Sequence, residues 1–259
     1  MSVLDRFRLD RKRFFITGGS RGLGREMALA MAGAGADAVL VGRDGDSLAR
    51  TAADIRALGR QCWTIEGDAG TPEGCTRACE QGLALGPIDI LVNNIGGRRV
   101  NVPIEDETLE VWREMLDLNL TSTFLCTRLI GGQMLGRGAG GRVINTASIS
   151  GLIANRGIGG RHYETAKAAV IQFTRAVAAD WAPHRITVNA ILPGMFMTEP
   201  NQRWARENPA MIAASKTQIP IGEFGQPEDL GPLAVYLASD ASRYMTGAAL
   251  VIDGGYTLW

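Results

Sequence analysis

Short apolar segments alternate with amphipathic segments along the chain, and this alternation limits the possible folds more than any other feature. Apolar runs begin near residues 14, 38, 62, 88, 142, 186 and 249, with helical patterns between most of them. Thr71 and Pro72 predict the start of one helix, Asp46 or Ser47 is the predicted cap of the helix before it, and a long helix is predicted from about Leu109 to Met134. Within the runs, polar and apolar residues do not alternate, which is typical of strands buried on both faces. Strands alternating with helices predict βαβ units and a parallel sheet. We therefore predict an α/β fold: one domain over residues 1–259, with a doubly wound sheet of about seven strands and helices on both faces.

Composition excludes several classes of protein. Lysine plus arginine and aspartate plus glutamate both number 27 in the 259 residues, so the chain lacks the basic excess of a nucleic-acid binder. No stretch free of charged residues exceeds 13 residues, whereas a membrane-spanning helix needs about 18. The charged N-terminal segment is followed by no secretory apolar region, so we expect a cytoplasmic protein with no membrane partner.

Cysteine and histidine are too few and too scattered to predict a metal site. The four cysteines are Cys62, Cys75, Cys79 and Cys126, and none forms a Cys-x-x-Cys pair. There are two histidines. We expect the cysteines to be buried thiols in a reducing compartment, and we predict no metal ligands.

A glycine-rich turn follows the first apolar run and begins a helical pattern. Gly18, Gly22 and Gly24 stand in the order G-x-x-x-G-x-G. Glycines at such a strand–turn–helix junction let the backbone approach a pyrophosphate at the helix N-terminus. The context predicts a Rossmann-type dinucleotide site. Its predicted contacts within the turn are Gly18, Ser20, Arg21, Gly22, Leu23 and Gly24.

The end of the second strand indicates which dinucleotide is bound. An acidic residue there favours NAD, whereas a basic one accommodates the 2′-phosphate of NADP. Gly42 occupies the place of the acid, which leaves Arg43, together with Arg21, to meet a phosphate. We therefore predict NADP(H). Asp44 is the alternative, because a shift of one residue would place its carboxylate at the ribose and favour NAD.

Tyr163 and Lys167 lie four residues apart on a predicted helix and so share a face. A free tyrosine has a pKa near 10, and a neighbouring cation lowers the pKa of the phenol. Such a pair is suited to donate a proton to a carbonyl oxygen. Taken alone, the same spacing also fits an ordinary surface pair.

Several motifs occur together and in order: Thr17–Gly24, Asn93-Asn94-Ile95-Gly96, Asn119, Ser148, Tyr163-x-x-x-Lys167 and Pro193-Gly194-x-x-x-Thr198. In this series the chain resembles the short-chain dehydrogenase/reductase family from about Phe14 to Tyr256. It is nearest in appearance to the gluconate 5-dehydrogenase and 3-oxoacyl-carrier-protein reductase branches.

The resemblance implies a role for each matching residue. Tyr163 would donate the proton, Ser148 would hydrogen-bond the substrate oxygen, and Lys167 would bind the nicotinamide ribose. Asn119 would hold a water that relays protons to Lys167. The remaining cofactor contacts implied by the family are Asp68, Ala69, Asn94, Gly96, Pro193, Gly194 and Thr198. The family also implies a homotetramer.

The position of the serine departs from the family. The usual spacing of thirteen residues before the tyrosine falls on Ser150, whereas the local segment Ile144–Ser148 matches the family's serine segment. We favour Ser148, with a two-residue insertion in the loop that follows it.

The sequence limits the substrate only loosely. Loops beyond the strand ends carry arginines, and we predict that Arg98 and Arg161 face an anionic substrate such as a sugar acid. The other candidates are Arg99, Arg156, Arg203 and Arg206; solvated loop charges are the alternative. Residues 197–222 are predicted to form either a lid over the substrate or a static pair of surface helices. The function expected is NADP(H)-dependent interconversion of a ketone and a secondary alcohol, with gluconate and 5-keto-gluconate as one pair. Reduction of a 3-oxoacyl thioester and a non-catalytic NADPH-binding role are the alternatives.

Overall fold

The computed structural model describes residues 2–155 and 158–258, with their side chains except those of residues 200, 204 and 211. Its centre is a sheet of seven parallel strands in the order β3-β2-β1-β4-β5-β6-β7. The fold predicted from the alternating segments is confirmed. The strands are β1 (Arg13–Thr17), β2 (Asp37–Gly42), β3 (Cys62–Glu66), β4 (Ile90–Asn93), β5 (Gly141–Thr146), β6 (Ile186–Pro193) and β7 (Ala249–Ile252).

Helices connect the strands and cover both faces of the sheet. They are α1 (Gly22–Gly33), α2 (Gly45–Ala57), α3 (Pro72–Ala84), α4 (Leu109–Leu116), α5 (Ser122–Cys126), α6 (Gly132–Arg137), α7 (Arg161–Trp181), α8 (Glu199–Glu207), α9 (Pro209–Lys216) and α10 (Gly231–Ala238). Within the described residues, every helix is too short or too polar to cross a lipid bilayer. The segment predicted as a lid, 197–222, carries α8 and α9, and its movement stays a prediction.

Alternate residues of the strands point into two separate cores. Phe14 and Ile16 of β1 pack with α1 and α10 on one face, whereas Phe15 between them packs with α3 and α5 on the other. All three side chains are fully buried. Burial on both faces explains why the strands are continuously apolar in sequence.

The starts of two helices follow from capping residues. Thr71 accepts a hydrogen bond from the N–H of Gly74 and is followed by Pro72 at the first helical position, as the sequence predicts. At α2 the predicted cap, Asp46 or Ser47, is wrong. The carboxylate of Asp44 caps this helix instead, because it accepts from the N–H of Ser47 at 2.7 Å.

The long helix predicted after β4 is present, but it contains two wide turns. Helices α4, α5 and α6 are joined by π-helical turns at Asp117–Thr121 and Thr127–Gly131, and the backbone stays helical throughout. In the first of these turns, the side-chain amide of Asn119 donates to the carbonyl of Met115 at 3.0 Å. Such turns are frequent at functional sites, and no period in the sequence predicts them.

The strand order reverses between β1 and β4, where the chain crosses from one half of the sheet to the other. In a doubly wound sheet this reversal opens a crevice at the carboxyl ends of the strands. The fold therefore places the glycine-rich turn after β1 and the polar residues after β4 and β5 around one opening.

Candidate active site

A cleft of about 400 Å³ occupies this crevice. It brings together residues that are up to 180 positions apart in the sequence. Fifteen of the predicted site residues line it: Gly18, Ser20, Arg21, Gly22, Leu23, Gly24, Arg43, Asn94, Gly96, Ser148, Tyr163, Lys167, Pro193, Gly194 and Thr198. The cleft is also lined by residues that the sequence did not single out as contacts, among them Gly42, Ile95, Gly97, Thr146 and Ala147.

The glycine-rich turn is closed by contacts that exclude side chains. Gly18 has a positive φ of 68°, and a Cβ on Gly24 would lie 2.1 Å from the carbonyl oxygen of Gly18. The side-chain amide of Asn94, at the end of β4, donates to the carbonyls of Thr17 and Gly18 at 3.1 and 3.2 Å. Asn94 therefore holds the turn against β4 as well as lining the cleft.

The start of α1 suits a phosphate group. Arg21 precedes the helix and makes no side-chain cap hydrogen bond, so the N–H groups of the first turn stay open to the cleft. Gly22, Leu23 and Gly24 line the cleft at this point. Free N–H groups and the positive end of a helix dipole together bind anions. The residues present thus fit the pyrophosphate of a dinucleotide.

Around the end of β2, Arg43 lines the cleft, and the carboxylates of Asp44 and Asp68 each interact with another group of the protein. A Cβ on Gly42 would lie 3.0 Å from Oγ of Ser20, a tight contact that a larger side chain would relieve only by moving the serine. Asp44 lines the cleft, but its carboxylate caps α2, and the hydrogen bond from Ser47 holds the pKa of this carboxyl below its ordinary value. Arg43 lies 3.6 Å from the carboxylate of Asp68. Ala69 is fully buried beside that carboxylate.

Three predicted catalytic side chains meet at the far end of the cleft. Tyr163 and Lys167 project from the first two turns of α7, and Ser148 follows β5. Ser148 and Tyr163 line the cleft together, and the Ser148 side chain acts to lower the pKa of the Tyr163 hydroxyl. Ser150 instead accepts a hydrogen bond from Asn155 at 2.9 Å and does not line the cleft. Ser148, and not Ser150, therefore shares the cleft with the tyrosine.

Burial sets the acidity of the two ionisable groups. It lowers the pKa of Lys167 to about 8, and the Nζ of this lysine donates to the carbonyl of Thr146 at 2.9 Å. Burial raises the pKa of Tyr163, whereas the hydrogen bond with Ser148 and the charge of Arg98 act in the opposite direction. A hydroxyl in such surroundings holds its proton until a substrate oxygen accepts it.

Asn119 lies beside this group, although it does not line the cleft. Its side chain accepts from the N–H of Gly97 at 2.9 Å and donates to the carbonyl of that residue at 3.2 Å. A Cβ on Gly96 would lie 2.7 Å from Oδ1 of Asn119 and 2.9 Å from Nζ of Lys167. Asn119 and Lys167 thus flank the same glycine, and the water relay implied by the family stays a prediction.

The arginines predicted to bind substrate form a cluster around Glu164. Arg98 and Arg161 both pair with this carboxylate, at 3.3 and 2.6 Å. The guanidinium of Arg98 also lies 4.8 Å from the centre of the Tyr163 ring. Of the other candidates, Arg99 lines the cleft, and Arg156 lies outside the described residues.

A second acidic residue near the site was not predicted. Glu107 and His162 form a buried pair, with side chains 2% and 0% exposed. The pair joins the segment before α4 to the residue that precedes Tyr163. The two residues are 55 positions apart, and neither lies in a motif, so the sequence holds no signal for their contact.

The fold also gathers cysteines that look scattered in the sequence. Among the described residues, Cys75, Cys79 and Cys126 are the one group of three potential metal ligands close together. Their sulfur atoms lie 3.3 Å (Cys75–Cys126) and 3.5 Å (Cys79–Cys126) apart in an apolar core. Three thiolates at about 2.3 Å from a metal stand farther apart, near 4 Å. Contact with Cys75 and Cys79, together with burial, raises the pKa of the Cys126 thiol. The three sulfur atoms therefore pack more closely than thiolates around a metal ion would.

Comparison with known proteins agrees with this geometry. A family model described as enoyl-(acyl carrier protein) reductase matches residues 18–257. A galactitol 2-dehydrogenase (L-tagatose-forming) from Cereibacter sphaeroides is 37% identical, with 98% of each chain covered. A gluconate 5-dehydrogenase from Gluconobacter oxydans is 34% identical over 100% of this chain and 99% of its own.

A solved structure resembles the whole fold. It is that of a putative NAD(P)-dependent gluconate 5-dehydrogenase from Beutenbergia cavernae with bound NADP. Its TM-score is 0.91 at 34% identity, with 98% of this chain and 100% of that chain covered. The strand order, the Ser148–Tyr163–Lys167 group and these matches lead to one conclusion. The chain belongs to the short-chain dehydrogenase/reductase family, as an oxidoreductase similar to sugar-acid and polyol dehydrogenases.

Proposed function

We propose that the protein interconverts a ketone and a secondary alcohol on a sugar acid or polyol, with NADP(H) as the preferred dinucleotide. The observation that carries the proposal is that Ser148, Tyr163 and Lys167 line the same cleft as the glycine-rich turn. Two hydroxyls at this place form a binding site for one carbonyl oxygen. When bound, the nicotinamide supplies or accepts the hydride.

Each side chain around that oxygen has a different role in the reaction. Ser148 donates a hydrogen bond that orients the carbonyl and polarises it. Tyr163 transfers its proton to the oxygen during reduction, and takes it back from the alcohol during oxidation. Lys167 keeps a positive charge near the phenol and donates to the carbonyl of Thr146, which fixes its position. Gly96, between Lys167 and Asn119, leaves room for backbone close to both.

The preference for NADP(H) rests on the residues after β2. Arg43 and Arg21 line the cleft, Gly42 carries no side chain where an acid would favour NAD, and one oxygen of the Asp44 carboxylate caps α2. A charge-assisted contact is worth about 1.5–3 kcal/mol, so one arginine supplies roughly a tenfold to hundredfold preference. The NADP bound to the relative from Beutenbergia cavernae supports this choice.

The substrate class rests on the relatives. Two of them are named for galactitol and gluconate, and they cover nearly the full length of this chain. We therefore propose gluconate and 5-keto-gluconate as a first substrate pair. A 3-oxoacyl thioester is the second candidate, favoured by the acyl-carrier description of the matching family model.

The initial rate of NADPH oxidation with 5-keto-gluconate tests the proposal, with an acetoacetyl thioester and NADH run in parallel. We expect turnover of the sugar acid with NADPH and its loss in Tyr163→Phe. Turnover of the thioester alone selects the second candidate. Tight NADPH binding with no turnover of any ketone contradicts the proposal and favours a binding protein. We also propose that the protein assembles as a homotetramer, which light scattering of the purified protein tests.

A further inference from the structure

Arg98 lies against the face of the tyrosine that transfers the proton. Its guanidinium carbon is 4.8 Å from the ring centre of Tyr163, closer than Nζ of Lys167 at 5.8 Å. The Arg98 side chain is only 14% exposed, so water screens its charge poorly. A cation over an aromatic face is attracted to the ring, and it stabilises a phenolate more than a neutral phenol.

Several hydrogen bonds hold Arg98 in this position. Its Nη1 donates to the carbonyls of Gly159 and Gly160 at 2.5 and 3.2 Å, and Nη2 donates to Glu164 at 3.3 Å. The two glycines immediately precede α7, and Glu164 follows Tyr163 in its first turn. Arg98 itself follows β4. One side chain therefore ties the loop after β4 to the start of the helix that carries the tyrosine.

Glu164 is fixed by more than Arg98. It accepts from Arg161 at 2.6 Å and from the backbone N–H and side-chain amide of Asn155 at 2.9 and 3.0 Å. One carboxylate thus faces two arginines, and Lys167 stands one turn further along α7. The charged and titratable groups around the Tyr163 ring are Arg98 from the loop after β4, and Glu164 and Lys167 from α7 itself. The Ser148 hydroxyl approaches from the end of β5.

We propose that Arg98 is a positioning residue that holds the ring of Tyr163 in place and favours its phenolate form. The proposal deepens the proposed function, because the phenolate is the form that takes a proton from an alcohol substrate. It also changes the role predicted for Arg98 from the sequence. Three N–H donors of this arginine bind Gly159, Gly160 and Glu164. The effect we propose for Arg98 on the reaction is exerted through the tyrosine.

The ionisation of Tyr163 can be followed without any substrate. The chain has four tyrosines, so the absorbance at 295 nm of the wild type minus that of Tyr163→Phe isolates the titration of Tyr163. The same subtraction is made in an Arg98→Met background. We expect the midpoint of Tyr163 to rise by about one pH unit when Arg98 is replaced, since an opposite charge at 4–6 Å shifts a pKa by roughly that amount or more. Arg98→Lys, which keeps the charge, is expected to restore most of the shift.

Arg161→Ala is the matched control, because it removes the other arginine on Glu164 and leaves the ring contact in place. We expect its midpoint to stay within a few tenths of a pH unit of the wild type. Equal midpoints in the wild type and in Arg98→Met would overturn the proposal, as would an equal rise in Arg161→Ala. Thermal unfolding and NADPH binding of each variant show whether it is folded.

Kinetics give the second readout. In the direction of alcohol oxidation, kcat/KM of Arg98→Met is expected to fall about tenfold at neutral pH, because one pH unit on an acid limb is a factor of ten. The loss should disappear at high pH, with KM for NADP⁺ unchanged. A tenfold loss that is the same at every pH contradicts the proposal. A shifted tyrosine midpoint with no turnover of any alcohol supports the role of Arg98 and refutes the proposed function instead.

Discussion

The cofactor side of the cleft is shaped by backbone, whereas the catalytic side is held by side chains from distant segments. On the cofactor side, the turn after β1 closes because Gly24 has no Cβ to strike the carbonyl of Gly18. On the catalytic side, Arg98 binds Glu164 across 66 positions of the sequence. A site made by backbone leaves a motif in the sequence. A pair such as Arg98 and Glu164, by contrast, leaves only two charged residues far apart in the sequence.

Substitutions on the two sides are therefore expected to impair different properties. Tyr163→Phe should show the largest difference between the loss of turnover and the loss of NADPH affinity. Removing the phenolic hydroxyl takes away the proton donor, which is worth roughly 10²- to 10⁴-fold in rate. We expect kcat to fall by that factor, while the dissociation constant of NADPH changes less than about twofold. Steady-state rates and a fluorescence titration of NADPH measure the two effects. A comparable loss of NADPH affinity would show that the two sides are not separable.

On the cofactor side, Gly24→Ala should weaken NADPH binding by more than tenfold. The new Cβ would lie 2.1 Å from Gly18 O and 2.4 Å from the Asn94 amide, so the turn must open. Strain of this kind costs about 1–3 kcal/mol of folding free energy. Gly33→Ala is the control in the same helix, because a Cβ there meets nothing within 4 Å. Calorimetry measures the NADPH affinity of the two variants, and urea unfolding measures their stability. Equal NADPH affinities in Gly24→Ala and Gly33→Ala would refute the argument.

The burial of Lys167 should appear in the stability of the protein as a function of pH. Its pKa falls from 10.5 in the unfolded chain to about 8, so the unfolded state binds more protons between these two values. Stability relative to Lys167→Met should then rise with pH across this window, by at most about 1.4 kcal/mol per pH unit. Below pH 8 the difference should be constant, with the methionine variant the more stable. Urea unfolding at pH 7 to 10.5 tests this, and a flat difference throughout contradicts it.

Arg43→Ala should give the smallest overall change in the protein, because only the KM for NADPH should be affected. We expect KM for NADPH to rise roughly tenfold to hundredfold, as for the loss of one charge-assisted contact, with KM for NADH unchanged. Arg50→Ala, which removes an exposed arginine of α2 bonded to Ser47, is the control. An equal rise for both dinucleotides would show that Arg43 binds something other than the 2′-phosphate.

The elements that could be predicted from the sequence are those whose structure follows from neighbouring residues in the chain. Strands buried on both faces are apolar throughout, and Thr71-Pro72 begins α3 because capping is a property of adjacent residues. The cap of α2 was misplaced, since Asp44 was considered only as a ribose contact.

Contacts that depend on the folded chain were beyond such reasoning. Glu107 meets His162 because α4 packs against α7, and the three cysteines meet in the core because α3 packs against α5. Arg98 and Arg161 were predicted to face an anionic substrate, and that role stays a prediction; the structure pairs both with one carboxylate. Their common partner, Glu164, was not foreseen, because a carboxylate three residues after Arg161 also fits an exposed helix pair.

Transfer of deuterium from the nicotinamide to the product tests the central claim most directly. The protein is incubated with NADPH carrying deuterium on the transferred position of C4 and with 5-keto-gluconate, and the product is analysed by mass spectrometry. The account predicts a sugar acid one mass unit heavier than the product made with ordinary NADPH, and no such product with Tyr163→Phe. Product without deuterium, or labelled product formed equally well by the variant, would contradict it.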